Sequence, residues 1–532
     1  HLDKNFRPTC WCWTLNPKMI LAPPHNIRLV PPLDVTPPRS GPSLFACAVS
    51  PNSVGCAPDS DEFFFLEYAF NEANKTQTTY VSVAKRSHED RILERHAHGE
   101  TKVIPSLQKS TWVHERLLPP LPEYCNCATT QLVLNRSATM LAVLSPRHLV
   151  VHDVHYHGKV SGPRSSPRHI TLVGRRPHRP LVSCSWHPTL DDVLVVMDDL
   201  TITLYYFWDA AIAAQLSPTS NNETSATESC TGEGHWFWRD ELEFPKISAR
   251  NELDPFSSFC FGDQETLDEH RSANDQDGGT RSVSWEPFTV YVLHQSGGIY
   301  AACPVAPRGL VLEDDTIEMF RTACGENGRH EWINRNWAKC LNDGEDEHEW
   351  KCLNFQVESA AWYEASDNNN VEHNRASTLS ATSLVSVRGV ENISNSNMQG
   401  YPILVRSWSN GEIDTMIVHD TVDGRPSSSG YAPYTIGVAC LARKSVFLNV
   451  PSSKNPRVRL LLDEMDDHVM YVVGSHEICR LIFSPLDVFT HLEEHGAPPT
   501  RLWEPLIVYY EPPNQGITNG QENGVVGGGG GG

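Results

Sequence analysis

The chain has 532 residues, 39% of them hydrophobic and 20% charged, and its formal net charge is −22. That length holds one large domain or several small ones, and that balance suits a folded core diluted by polar loops. The negative charge argues against direct nucleic-acid binding, which calls for clustered Lys and Arg, and no run of about 18 apolar residues is present to insert in a membrane as a helix. The 15 cysteines are odd in number and follow no repeating framework; Cys184 and Cys440 sit inside apolar strand-like runs, as small buried thiols do in a reducing compartment. The chain begins at His1 rather than Met, so this end leaves the question of a signal peptide open.

Taken in chain order, the first 60 residues are rich in Pro, with pairs at 23–24, 31–32 and 37–38. Residues 1–42 read as an extended arm ahead of a first strand at 44–49. Residues 63–70 and 78–85 make a hairpin-like pair across 71–77. Residues 130–154 (TQLVLNRSATMLAVLSPRHLVVHDV) read strand–turn–strand–turn–strand. The basic run 164–179 (RSSPRHITLVGRRPHR) reads as a solvated loop between repeats, or as a local patch for an acidic partner.

The fullest repeat is 182–208 (VSCSWHPTLDDVLVVMDDLTITLYYFW), with strands predicted at 183–186, 193–197 and 201–207 and turns at 187–192 and Asp198-Asp199. Less complete copies follow. Residues 287–305 turn at 295–298, 402–418 turn at Asn410-Gly411, and 457–483 turn at 463–467 and 474–477. A last strand at 505–510 is expected to pair with an N-terminal strand and close a ring, since closure removes exposed sheet edges. Between these repeats lie long polar insertions at 217–234, 263–279, 310–351 and 365–400. Three of the four have the composition of disorder; 310–351 does not, because Trp332, Trp337 and Trp350 are costly to leave in water. Residues 514–532 end in six glycines and read as a flexible tail.

Strand repeats in series, with almost no helical period between them, predict an all-β chain: a seven-bladed WD-type β-propeller with long polar insertions, spanning 43–513. A blade of ~40–45 residues fits that span with room to spare.

Catalytic and metal readings fare poorly beside structural ones. In HDVHYH, His155 and His157 fall on one face of a strand and His152 on the other, whereas zinc wants three or four convergent ligands. Cys10/Cys12 and Cys125/Cys127 lack the Cys-x-x-Cys spacing. Asp198-Asp199 and the acidic run 463–467 sit in turns, where Asp bonds its own backbone. The nearest approaches to a sialidase turn signature, 295–300 and 407–414, lack the Asp and Trp, and neither a Gly-x-Ser-x-Gly elbow nor a phosphate-binding loop occurs. No cofactor is implied and the expectation is a binding protein, not an enzyme. Sequons at Asn74, Asn135, Asn222 and Asn392 are outweighed by the cysteine pattern. The candidate partner-binding residues are Trp332, Trp337 and Trp350: an acidic, aromatic insertion suits a docking anchor steered to a basic surface, while folding back onto the propeller rim is the plainer alternative.

Four stretches carry a resemblance. LNRSATMLAVLSPRHLVVHDV, VSCSWHPTLDDVLVVMDDLTITLYY with its Trp186-His187-Pro188 corner, SSFCFGDQ followed by EPFTVYVLHQSGGIYAACPV, and VMYVVGSHEICRLIF resemble, in order and wording, the family of the eighty-eight-kilodalton nucleoporin and its yeast eighty-two-kilodalton counterpart. The likeness covers roughly 130–305 and 400–510. It implies an N-terminal seven-bladed propeller that, in the family, precedes a coiled-coil tail, and a scaffold role on the cytoplasmic side of the nuclear pore complex at the nuclear envelope. It also implies other nucleoporins as partners, namely the tail of a large Phe-Gly nucleoporin and the C-terminal autoproteolytic domain of another, serving messenger-RNA and protein export. A WD-type adaptor outside the pore, such as a ubiquitin-ligase substrate receptor, is the alternative, although no ligase-binding box is visible.

Overall fold

In the third repeat, VLVVMD and TITLYY are buried at every position except Asp198, so these strands lie between layers on both faces. A strand covered on both sides needs apolar residues at consecutive positions, which is why this stretch lacks the in–out alternation of a half-exposed sheet. The computed structural model describes residues 41–49, 62–86, 112–117, 120–121, 131–137, 139–146, 148–153, 169–173, 180–198, 201–207, 238–243, 255–262, 285–307, 310–313, 317–318, 337–339, 350–353, 360–367, 379–387, 402–418, 434–445, 458–462, 469–473, 478–482 and 506–508. Nearly all of these residues are strand, as the sequence predicts.

The first sheet joins β1 (Gly41–Val49), β2 (Glu62–Asn71), β3 (Thr76–Arg86) and β4 (Trp112–Leu117) as an antiparallel meander. The second joins β5 (Gln131–Leu134), β6 (Met140–Leu144), β7 (His148–Asp153) and β8 (His169–Val173) in the same way. The third joins β9 (Leu181–Trp186), β10 (Val193–Asp198), β11 (Thr201–Tyr206) and β12 (Trp238–Glu243). Next come β13 (Phe256–Phe261), β14 (Val290–His294) and β15 (Ile299–Cys303). An insertion then forms its own small sheet from β16 (Val311–Glu313), β17 (Trp337–Lys339) and β18 (Trp350–Leu353). The fourth meander resumes with β19 (Ala361–Asp367) beside β15. The fifth is β20 (Ala381–Val387), β21 (Ile403–Trp408), β22 (Glu412–Val418) and β23 (Tyr434–Ser445). The sixth is β24 (Arg459–Leu462), β25 (Val469–Val473), β26 (Ile478–Ile482) and β27 (Leu506–Val508).

The first strands of successive meanders are neighbours: β1 beside β5, then β9, β13, β20 and β24, with β24 returning to β1. This is the radial arrangement of a propeller, with first strands at the hub and fourth strands at the rim. Six such meanders lie among the described residues; a seventh does not. The core runs between meanders rather than through one centre. One cluster spans the third to fifth meanders and takes in Val195, Tyr206, Phe259, Tyr291, Leu384 and Trp408, while smaller clusters fill the first-to-second and second-to-third seams.

Three sequence expectations are corrected. Residues 506–508 do not pair with an N-terminal strand; they lie antiparallel against β26 as the rim strand of the last meander. The run 164–179 is not all loop, because HITLV within it forms β8 against β7. The insertion 365–400 contains a hub strand, β20 (ATSLVSV), hidden by its Ser and Thr content. Those hydroxyls are needed where hub strands meet. Thr382 Oγ1 donates to Val458 O at 2.7 Å, and Ser383 Oγ accepts from Leu460 N at 3.1 Å. Ser258 Oγ accepts from Leu384 N at 3.2 Å on the other side. The hub is stitched by hydroxyls because hub strands of adjacent sheets do not form a ladder, yet their backbone groups are buried and need partners.

Candidate functional site

Trp186 shows how a seam is built. It ends β9, is 4% exposed, and donates from Nε1 to Val133 O in the preceding meander at 3.1 Å. Its ring lies 5.6 Å from that of Phe207 and belongs to a cluster with Leu144, Leu149, Val151 and Leu194. Gln131 reaches the same strand, donating to Cys184 O at 2.8 Å and accepting from Cys184 N at 3.0 Å. Burial pushes the Cys184 thiol up to about 12, so it is a neutral, unreactive group. His187, next in the Trp-His-Pro corner, is lowered from 6.5 to about 3 by burial, with Nδ1 3.1 Å from Thr189 Oγ1 and its ring edge-on to Phe261.

Asn135 ties two turns together. It is fully buried; its Oδ1 accepts from Thr139 N and Met140 N, and its Nδ2 donates to Ser137, Thr139 and Asp191 O. An amide so engaged leaves no room for a glycan, which disposes of that sequon. Asn74, by contrast, lies on the exposed tip between β2 and β3. Asp198 acts as the turn residue expected of it, accepting from Thr201 N at 2.7 Å. His152 is buried in β7 opposite Leu141 and His169. His155, His157, Cys10, Cys12, Cys125, Cys127, Asp199, Asn222, Asn392, the run 463–467 and the segments 217–234, 263–279 and 514–532 lie outside the described residues. Among the described residues no three His, Cys, Asp or Glu converge as metal ligands, and the described thiols Cys184, Cys260, Cys303 and Cys440 are unpaired with one another.

The insertion carrying the candidate tryptophans is rooted in the propeller. Val305 N donates to Phe288 O at 2.7 Å, and Leu310, Leu312 and Ile317 are buried in the large core cluster. Beyond this root, β18 pairs with β16 on one side and β17 on the other. Trp350 stands opposite Glu313, and Trp337 opposite Leu353. Trp350 thus begins β18, and Trp337 pairs with the residue that ends it. Trp332 lies outside the described residues.

The sequence reading missed a polar cluster in the fifth meander. Arg406 and Asp414 are direct partners across the β21–β22 hairpin, 3% and 0% exposed. Asp414 Oδ2 accepts from Arg406 Nη2 at 2.7 Å, Arg406 Nε at 3.2 Å and Trp408 Nε1 at 2.6 Å. Arg406 also lies over the Trp408 ring, 4.6 Å from its centroid, and donates from Nη1 to Gly297 O in the fourth meander. The signal was available: two opposite charges at mirror positions about an Asn-Gly turn, each inside an apolar strand, must meet each other.

No family model and no curated protein matches the chain. Its structure is similar to that of Nup82 complexes. One is the Chaetomium thermophilum heterotrimer of the Nup82 N-terminal domain, the Nup159 tail and the Nup145N APD, at a TM-score of 0.48 and 13% identity over 85% of each chain. Another is the yeast Nup82–Nup159–Nup116 heterotrimer, at 0.47 and 12% over 83% of this chain and 89% of that one. Chaetomium thermophilum Sqt1, bound to the N-terminus of a ribosomal protein, gives 0.33 and 11% over 83% and 85%.

The described buried ionisable groups are held in structural roles. Burial raises Tyr291 and Cys260, and the neighbouring Glu286 charge raises both further; the Tyr291 hydroxyl donates to Glu286 Oε1 at 2.6 Å. What the fold offers a partner is its loops, its rim and the rooted insertion.

Proposed function

We propose that this chain is a docking scaffold of the nuclear pore complex, placed on its cytoplasmic face and supporting messenger-RNA and protein export. The observation that carries the reading is where the four resembling stretches fall. Residues 134–154 supply β6 and β7, 182–206 supply most of β9 and all of β10 and β11, 257–305 contain β14, β15 and most of β13, and 469–483 supply β25 and β26. Each therefore lies in a separate blade, in chain order. A rigid ring of sheets with a rooted insertion suits a protein that holds several partners at once. The partners are those the family resemblance implies: the tail of a large Phe-Gly nucleoporin and the C-terminal autoproteolytic domain of another. The similar complexes pair Nup82 with a Nup159 tail and Nup145N APD, or with Nup159 and Nup116.

Within this reading the insertion docks one partner through Trp332, Trp337 and Trp350, with its acidic residues steering a basic surface. The family pattern also implies seven blades. An experimental map counts them directly, and a ring of six would retire that part of the reading.

Affinity purification of the full chain with mass spectrometry tests the proposal. Recovery of nucleoporins supports it; recovery of ubiquitin-ligase subunits instead would favour the WD-type adaptor outside the pore. Replacing the three tryptophans by Ala should abolish capture of the partner while leaving the melting temperature nearly unchanged. Unaltered capture would move the docking site to the blade rims.

A further inference from the structure

We infer that the fourth and fifth blades form one two-blade body, latched by Arg406, that opens as a unit while the other seams of the ring open independently of it. The two blades are joined at three radii. At the hub, Leu384 N donates to Ser258 Oγ at 3.2 Å and Ala381 N donates to Gln295 O at 2.8 Å. At the rim, β19 and β23 run parallel, in register from Tyr363 opposite Tyr434 to Asp367 opposite Val438, and merge the two meanders into one eight-stranded sheet. Among the described residues no other pair of blades shares a backbone ladder.

Between hub and rim sits the latch. The tip of the β14–β15 hairpin presents Gly297 at φ +96, a conformation that L side chains rarely adopt. A Cβ placed there would lie 2.5 Å from Trp408 Cη2. The missing side chain thus lets the fourth blade's turn press against the fifth blade's indole, and lets Gly297 O receive Arg406 Nη1. Arg406 is held for that task by Asp414 and by the Trp408 ring. Parting the blades would strip the guanidinium of one acceptor and bare the indole. It would also break the rim ladder, so the three links are lost together or not at all.

The insertion leaves from β15 and returns at β19, both inside this body, so its root moves only as the body moves.

Hydrogen–deuterium exchange with mass spectrometry on the full chain, over a urea series, tests this. Peptides covering β14–β15 and β21–β22 should share one urea dependence, distinct from that of β6–β7 or β25–β26. Gly297→Ala, a change in the fourth blade, should speed exchange in β21–β22 as much as in β14–β15, by roughly tenfold. Asp414→Asn, in the fifth, should speed β14–β15 equally. Acceleration confined to the substituted blade would overturn the inference. Should neither variant fold, the unsubstituted chain decides: one transition shared by the two blades and separate from that of β6–β7 upholds the unit, and two separate transitions, or one shared by the whole ring, refute it.

Discussion

Replacing Trp186 measures what one blade seam is worth. The ring is 4% exposed between the second and third blades, so Trp186→Ala empties a cavity lined by Leu144, Leu149, Val151 and Leu194. A loss of this kind costs about 3–5 kcal/mol. The hydrogen bond from Nε1 to Val133 O contributes a separable part. Trp186→Phe keeps most of the volume and the contact with Phe207 but deletes that bond, at about 1–2 kcal/mol. Urea unfolding of the full chain, with the slope compared between variants, gives both values. The expected order is native, then Phe, then Ala, with the second step the larger. An unchanged midpoint for the Ala variant would place the ring outside the seam. Equal losses for Phe and Ala would mean that the hydrogen bond, and not the packing, holds the blades together.

His187 makes stability depend on pH. Its folded value of about 3 lies below the ordinary 6.5, so the unfolded chain takes up a proton first as pH falls. The contribution is complete above pH 6.5 and is lost between there and about 3, at a slope of up to ~1.4 kcal/mol per pH unit. His187→Gln should flatten that limb of a stability–pH curve, and an unaltered slope would remove His187 as its source. Asn135→Ala, which frees both turn amides and Asp191 O, should cost about 2–3 kcal/mol in the same urea assay; a neutral result would mean the turn repairs itself with water. Deleting residues 503–532 removes β27 and bares the edge of β26, so light scattering should report aggregation, whereas deleting only 514–532 should leave the chain monodisperse. Equal behaviour of the two truncations would show that β27 protects nothing.

The blades were legible in the sequence where apolar strands are bounded by tight Asp, Gly or Asn turns, as in β10–β11, β14–β15 and β21–β22. Those strands are rich in Val, Ile, Leu and Tyr, and their turns have a local chemistry. The strands that were missed lie at the two radii where that composition does not apply. At the rim, β8 is a short strand that carries His and Thr within a basic run. At the hub, β20 uses Ser and Thr to bond the next blade, and a polar strand among Asn and Ser looks like a loop. Closure was misjudged for a different reason. An apolar strand at the end of a chain says that it needs a partner, but 505–510 holds nothing that distinguishes β1 from β26. Of the candidate site, the insertion's position was legible from its tryptophans. The pairing that sets Trp337 opposite the last residue of β18 depends on register, which no residue spacing across a gap of that size determines.

Because the last described meander ends in its own C-terminal strand, each meander among the described residues takes its four strands from one consecutive stretch of chain, the fourth with the β16–β18 insertion inside it. A ring closed by exchanging a strand between its ends cannot finish its first blade until synthesis is complete. Here each meander can zip up as it leaves the ribosome, adding itself to the flank of the one before, and no edge has to wait several hundred residues for its mate. Among the described residues only the parallel contact between β19 and β23 departs from that order, and it joins neighbouring blades. The order of synthesis can thus serve as the order of assembly, and among the described strands the last to meet are β24 and β1, two finished surfaces docking rather than a strand being threaded.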